Sequence, residues 1–170
     1  AITRLIAVGA LTRVSGRSVG VPKLSQGELE DLRNVRLEVE ALALSWAVRN
    51  RDARFLKDLR GILRDLIKAE EKNDPGGFIR ANYNFHARLY KQAKSPVLDD
   101  VVQTLWLRVS PHLYHVKRTD THRVSNEEHR RIVEAVSDGD AAAAIAALTE
   151  DISRAYRNLI EALFRHELAS

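Results

Sequence analysis

The amino-acid sequence predicts an all-α protein, an antiparallel bundle of about six or seven helices preceded by a short helix and a β-hairpin. Every long segment after residue 24 carries apolar residues at helical spacing, and none alternates as a strand does. Residues that cap or end helices, namely Ser, Asp, Pro and Gly, separate these segments. A chain of 170 residues with 45% hydrophobic residues can form one principal core.

Residues 1–24 differ from the rest in charge and in pattern. They hold all of the net positive charge, with four basic side chains and no acid, whereas the remaining acidic and basic side chains balance. A short amphipathic helix is predicted up to Gly9, followed by two strands on either side of a glycine-containing turn at 15–18. A helix followed by a small basic hairpin suggests a wing that contacts phosphate, and a solvated basic end is the alternative.

After residue 24 the predicted helices cover about residues 26–49, 53–72, 78–93, 96–111, 125–137 and 141–165. Capping boxes of Ser25 with Glu28 and of Ser125 with Glu128 are predicted to begin the first and the fifth of them, and Asp52 is predicted to cap the second. The strongest interruption, 73–77, precedes the third helix. In the first helix the predicted buried stripe consists of Leu29, Leu32, Val35, Val39, Leu42 and Trp46.

Four polar side chains fall on or beside the predicted buried stripes of the later helices. His86 follows Asn82 by one turn in the third helix. His129 begins the stripe of the fifth helix, and Asp151 lies on the core face of the last. Burying such groups without partners costs roughly a few kcal/mol or more, so we expect them to be paired or to bind a metal. The other histidines, such as His112, lie near predicted loops or helix ends and are expected at the surface.

Two imidazoles, a carboxylate and an amide oxygen suit a divalent ion such as Zn, Ni, Mn or Fe. Hydrogen bonding of the same groups to one another is the alternative.

The chain has no cysteine, which excludes disulfide bonds, thiolate metal ligands and cysteine nucleophiles. No stretch approaches the ~18 consecutive apolar residues of a membrane span, and no signal peptide opens the chain, so a cytoplasmic protein without membrane contact is expected. Because the chain begins with Ala, in what reads as the middle of an element, it is expected to be a fragment.

Several motifs occur in a specific order along the chain. They are Val35-Arg36 with Glu40, Asn82-Tyr83-Asn84-Phe85-His86-Ala87-Arg88-Leu89, Ala93-Lys94-Ser95-Pro96-Val97-Leu98, Glu127-Glu128-His129-Arg130-Arg131-Ile132, and Asp138-Gly139-Asp140 before several alanines. This set resembles the FCD effector domain of GntR-type transcription regulators of the FadR branch. Residues 1–24 resemble the end of the preceding winged helix-turn-helix. The resemblance implies a remnant of the DNA-binding domain at 1–24 and a helical effector-binding and dimerisation domain at 25–170.

The resemblance also implies a metal site. Many members of the family hold a metal with an Asp, a His four residues later, a His next to or near a Glu, and a His of the last helix. His86 and His129 match this pattern, whereas Asn82 stands where the family usually has Asp and Asp151 where it usually has His. The implied set of Asn82, His86, His129 and Asp151 keeps one negative charge but loses one imidazole, which favours looser binding or a harder ion.

A small carboxylate effector, bound beside the metal, is a further implication of the resemblance. Arg36 would clamp its carboxylate, with Arg108 and Tyr83 as additional candidates. An ion pair between Arg36 and Glu40 is the alternative role for this arginine. Effector binding would change the geometry of a homodimer and thereby the spacing of its recognition helices on a DNA operator. The predicted DNA contacts are Arg4, Arg13 and Arg17.

Two functions from other classes remain open. A metal-dependent enzyme acting on a small organic acid could use such a site, but no committed base or nucleophile stands beside it in the sequence. A ligand-free helical dimerisation module would bind neither metal nor carboxylate. We predict a ligand-responsive, bacterial-type transcription regulator rather than an enzyme.

Overall fold

The computed structural model describes residues 2–16, 18–113 and 119–164, including their side chains except those of residues 119–124. Within these ranges a short helix and a two-stranded hairpin precede six long helices, which confirms the predicted fold class. The elements are α1 (Ile2–Ala7), β1 (Thr12–Ser15), β2 (Ser18–Gly20), α2 (Gln26–Arg49), α3 (Ala53–Glu71), α4 (Pro75–Lys91), α5 (Pro96–Leu113), α6 (Thr119–Asp138) and α7 (Ala141–Phe164).

The hairpin pairs β1 and β2 in antiparallel fashion, with Thr12 opposite Gly20 and Arg13 opposite Val19. Gly16 lies in the turn with a φ of 49°, a left-handed conformation that glycine adopts without a steric penalty. All four residues of β1 are exposed. The hairpin therefore presents Arg13 to solvent and contributes little to the core.

Local capping sets the first residues of α2, α3 and α4. Ser25 and Glu28 form the predicted capping box, in which each side chain accepts a hydrogen bond from the other residue's backbone N–H. Asp52 is the N-cap residue of α3, as predicted, and its side chain accepts a hydrogen bond from the backbone N–H of Phe55. Asp74 caps α4, with Pro75 in the first turn, so this helix begins three residues before the predicted start at 78.

The prediction for the start of α6 was wrong. This helix begins at Thr119, and Ser125 lies inside it rather than at its cap. The Oγ of Ser125 donates a hydrogen bond to Oδ1 of Asp151 on α7, at 2.7 Å. Glu128, the supposed partner in the cap, accepts a hydrogen bond from Arg154 at 3.1 Å. Ser125 and Glu128, which were predicted to cap α6, therefore contact α7 instead.

The core lies inside a ring of five helices. α7 packs against α2 and α6, α3 packs against α6 and α4, and α4 closes the ring against α2, while α5 lies mainly on α2. Large buried side chains fill this interior, among them Phe55, Phe85, Leu89 and Tyr156. Full burial of one such side chain contributes about 1.5–3 kcal/mol. None of the described helices combines the length and apolarity needed to cross a bilayer.

The buried face of α2 differs from the predicted stripe. Val35 and Leu42 are 41% and 46% exposed, so part of the predicted stripe faces outward. The inward face carries Arg36 and Glu40 beside small residues such as Ala43. These two charged side chains are 3% and 0% exposed and form an ion pair, so each compensates the charge of the other inside the ring.

Candidate metal centre

Three side chains converge inside the ring from three different helices. They are His86 of α4, His129 of α6 and Asp151 of α7, and they are 2%, 0% and 7% exposed. Oδ2 of Asp151 lies 3.2 Å from Nε2 of His86 and 3.8 Å from Nε2 of His129. The two Nε2 atoms are 3.4 Å apart. A nitrogen or oxygen from each residue thus lies within 4.8 Å of the other two, which is a group that could hold a metal ion.

Aromatic side chains hold the two imidazoles in place. The ring of Phe85 lies 4.6 Å from the ring of His129, and the ring of Trp106 lies 5.2 Å from that of His86, measured between centroids. Since Phe85 precedes His86 on α4, this helix contributes both a ligand candidate and part of its apolar surroundings. Few rotamers remain available to side chains packed in this way.

The carboxylate of Asp151 is ionised in these surroundings. Burial alone would raise its pKa, but His129, His86 and the Ser125 hydroxyl together hold the pKa below its usual range. Ser125 engages Oδ1 and thereby leaves Oδ2 directed at the two imidazoles. An oriented, deprotonated carboxylate is the form that coordinates a divalent ion.

Burial lowers the pKa of His129 to about 4, although the charge of Asp151 opposes this shift. The ring is therefore neutral near pH 7, as a metal-binding imidazole must be. Its Nδ1 has no hydrogen-bond partner among the described residues, while its Nε2 faces the other two members of the group. The residues fit a cation bound among Nε2 of His86, Nε2 of His129 and Oδ2 of Asp151.

Asn82, the fourth predicted ligand, lies one turn before His86 on α4 and is partly buried. The converging group consists of the other three residues. Asn82 therefore stands next to the group in sequence, and its role as a ligand stays a prediction.

Two of the three predicted effector contacts, Arg36 and Tyr83, lie against the same side chain, that of Trp106. Arg36 is buried and paired with Glu40, with 2.5 Å between Nε and Oε1, and its guanidinium lies 4.7 Å from the ring centroid of Trp106. Tyr83 is 47% exposed and packs edge-on against the same Trp106, at 5.8 Å. Arg108 is exposed, and a methyl group placed on Gly9 would lie 3.6 Å from its Nε. The ion pair, which was the alternative role for Arg36, is present.

Two of the predicted DNA contacts, Arg4 on α1 and Arg13 on β1, are exposed. Arg17 lies outside the described residues.

The prediction that His112 lies at the surface was wrong, since its side chain is only 6% exposed. His112 follows the buried Val109 by three residues. Because α5 extends to Leu113, both residues lie on the same face of this helix, which is directed toward the core.

Sequence reasoning missed two residues that contact the group. Ser125 was interpreted as a helix cap, and Tyr90 was not considered, although it lies one turn after His86 on the same helix. The hydroxyl of Tyr90 is 3.1 Å from Nδ1 of His86. The spacing of four residues between these two was the only sequence signal for this contact.

Comparisons with known proteins identify the family of this chain. The family model of the FCD domain matches residues 31–154. The HTH-type transcriptional regulator McbR of Escherichia coli (strain K12) is 30% identical over 116 residues, which is 68% of this chain and 52% of that protein. The chain thus spans about half the length of this curated relative.

Solved structures show the same fold. The structure of E. coli McbR/YncC superposes with a TM-score of 0.88 at 26% identity, covering 94% of this chain and 77% of that one. A structure described as the metal-free FCD domain of TM0439 superposes with a TM-score of 0.72 at 17% identity, covering 85% and 99% of the two chains. With the family model matching well over half of its residues, the chain belongs to the FCD domain family of GntR-type transcription regulators.

Proposed function

We propose that this chain is the ligand-sensing part of a cytoplasmic transcription regulator, and that its sensing site contains a divalent metal. The observation that carries the proposal is the buried convergence of His86, His129 and Asp151 from three helices. Support also comes from the neutral state of the buried His129 and the ionised state of Asp151, since both are the forms that bind metal.

The metal would be held by His86, His129 and Asp151, with Asn82 or a solvent molecule completing its coordination. Zn, Ni, Mn and Fe all accept such a set of nitrogen and oxygen ligands. When bound, the ion would supply a Lewis-acidic docking point for an oxygen of the effector. The protein's own contribution is to orient these side chains and to exclude water from them.

A small organic acid is the effector class that the charges favour. Arg36, Glu40 and Asp151 together carry one formal negative charge in the interior, and a divalent ion would convert this to one positive charge. A carboxylate that binds the ion would then neutralise the site. Arg36 already forms an ion pair with Glu40. It could bind the carboxylate of the acid directly only by breaking this ion pair.

Residues 1–24 would be the remnant of the winged DNA-binding unit, and residues 25–170 the sensing and dimerisation unit. The exposed Arg4 and Arg13, with Arg17, would contact the backbone of an operator in the longer protein. Effector binding in the ring of helices would change the geometry of a homodimer and so the separation of its DNA-binding units.

The test combines elemental analysis of the purified protein with a thermal-shift screen of small mono- and dicarboxylates, on wild type and on His129→Ala. We expect the wild type to contain a divalent metal and to be stabilised by at least one acid, and we expect the variant to lose both properties. His112→Ala is the matched control, since it also removes a buried histidine but leaves the group intact. Equal metal content and equal acid response in wild type and His129→Ala would contradict the proposal.

A further inference from the structure

The hydroxyl of Tyr90 lies between Glu40 and His86 in the interior of the ring. It donates a hydrogen bond to Oε2 of Glu40 and stands 3.1 Å from Nδ1 of His86. Glu40 also receives hydrogen bonds from Nε of Arg36 and, at 3.3 Å, from Nε1 of Trp106. Tyr90 is thus the connection between a charge-compensated buried carboxylate and one of the proposed metal ligands.

The hydroxyl of Tyr90 has a single proton, which it donates to Oε2 of Glu40. The guanidinium of Arg36 lies against the same carboxylate, with 2.5 Å between Nε and Oε1 of Glu40. Toward His86 the oxygen of Tyr90 can therefore only accept, and Nδ1 of His86 must be the donor.

A neutral imidazole that carries its proton on Nδ1 has a free lone pair on Nε2. In this structure Nε2 of His86 faces Oδ2 of Asp151 at 3.2 Å and Nε2 of His129 at 3.4 Å. A lone pair facing a carboxylate at this distance is repulsive unless a proton or a metal ion lies between them. The hydrogen bond made on one side of the His86 ring thus determines what the other side can bind.

We propose that Tyr90, anchored by Glu40 and Arg36, is a positioning residue that fixes His86 as the Nδ1–H tautomer and keeps its Nε2 available for a divalent ion. This inference rests on the proposed metal site. It also assigns a role to Arg36, which holds the carboxylate that orients Tyr90. Removing an outer hydrogen bond of this kind lowers metal affinity by about 10- to 100-fold in metalloproteins.

The experiment begins with the wild-type protein freed of metal by a chelator. Long-range nitrogen–proton correlation spectra of protein labelled at histidine, recorded above neutral pH, report which ring nitrogen of His86 carries the proton. We expect Nδ1–H in wild type and a mixture of tautomers in Tyr90→Phe. Titration calorimetry with Zn²⁺ alone should then show affinity about 10- to 100-fold lower for Tyr90→Phe than for wild type.

Two hydroxyl-deletion controls separate this role from a general loss of packing. Ser137→Ala removes a hydroxyl that donates to the carbonyl oxygen of Val133 on α6, and it should change neither the tautomer nor the Zn²⁺ affinity. Ser125→Ala removes the hydroxyl that orients Asp151, so it should lower the affinity and leave the His86 tautomer as in wild type.

An Nε2–H tautomer in the wild-type protein, or wild-type Zn²⁺ affinity in Tyr90→Phe, would overturn the inference. If Tyr90→Phe does not fold, the tautomer of the wild type still decides, because that measurement needs no variant. If the wild type binds no Zn²⁺, Ni²⁺, Mn²⁺ or Fe²⁺, the proposed function fails, and the tautomer measurements on wild type and Tyr90→Phe still decide the positioning role of Tyr90.

Discussion

The Oγ of Ser125 donates a 2.7 Å hydrogen bond to Oδ1 of Asp151 across the contact between α6 and α7. This bond leaves the second oxygen of the carboxylate directed at the two imidazoles, and it helps keep the pKa of Asp151 low. One hydroxyl thus orients a proposed metal ligand, and it adds to the larger effect of the two imidazoles on the pKa of this carboxylate.

Ser125→Ala should weaken metal binding by roughly 10-fold or more, because the carboxylate loses the bond that orients it. The free energy of unfolding should fall by about 1 kcal/mol, as for the loss of one hydrogen bond. Ser137→Ala is a matched control, since its Oγ donates at 2.7 Å to the carbonyl of Val133 on the same helix, away from the group. Calorimetric titration of both variants with Zn²⁺ checks the prediction, and equal affinities would contradict it.

Asp151→Asn should reduce metal affinity more than any variant of the surrounding hydroxyls, because it removes the only carboxylate in the group of three. An amide of nearly the same shape keeps the packing but cannot neutralise the charge of the ion. Elemental analysis after dialysis against a metal-containing buffer should find metal in wild type and none in the variant. Retention of stoichiometric metal by Asp151→Asn would show that the carboxylate is not a ligand.

The stability of the metal-free protein should decrease as the pH falls from about 6.5 to about 4. The pKa of His129 is about 4 in the folded state against 6.5 for an ordinary histidine, so the unfolded chain binds an additional proton throughout this range. The loss should be on the order of 3 kcal/mol at most. Below this range the lowered pKa of Asp151 causes a further loss, since its carboxylate stabilises the folded state only while ionised.

Urea unfolding at a series of pH values measures this effect, with a chelator present. His129→Gln should flatten the pH dependence between 6.5 and 4, because the titrating group is gone. A wild-type transition midpoint that is constant across this range would refute the assignment of a buried neutral His129.

Arg36→Met should destabilise the protein by about 3–5 kcal/mol, because it leaves the carboxylate of Glu40 buried without its counter-charge. The double variant Arg36→Met with Glu40→Leu should recover much of this loss, since no isolated charge remains. Arg157→Ala is the control, because its ion pair with Glu150 is exposed and such pairs contribute about 0–1 kcal/mol. Thermal unfolding compares the variants, and a wild-type midpoint for Arg36→Met would favour a free effector clamp instead.

The sequence predicted those features that depend on local interactions. Ser25 and Asp52 were identified as caps because their hydrogen bonds lie within the first turn of the helix that they begin. The same type of signal failed at Ser125, because a serine followed by a glutamate three residues later is also compatible with a helix interior. In the folded protein Ser125 instead donates its hydrogen bond to Asp151, which is 26 residues away. A local sequence pattern contains no information about such a distant partner.

The two faces of α2 illustrate a second limit. Apolar residues follow helical spacing on the outer side, at Val35 and Leu42, and small apolar residues also line the inner side. Periodicity alone therefore could not assign the core face. The inner face contains Arg36 and Glu40, whose burial becomes favourable only when the two charges, Tyr90 and Trp106 meet in the folded state.

His86, His129 and Asp151 could be selected because each falls on a buried stripe and two of them match a family pattern. Their mutual distances depend on how α4, α6 and α7 are arranged around the ring, and spacing along the chain does not determine this. The contact between Tyr90 and Glu40 joins residues 50 positions apart and was out of reach for the same reason.

Glu40 accepts hydrogen bonds from residues of three helices, namely Arg36 of α2, Tyr90 of α4 and Trp106 of α5. Hydrogen bonds weaken steeply with small changes in length and angle, so a slight rotation of α2 would break several of them together. Intermediate positions of α2 would leave a buried charge without partners, and only arrangements that satisfy all donors at once are low in free energy. A ligand that favours one arrangement would therefore shift the populations of two discrete positions of α2 rather than deform the bundle gradually.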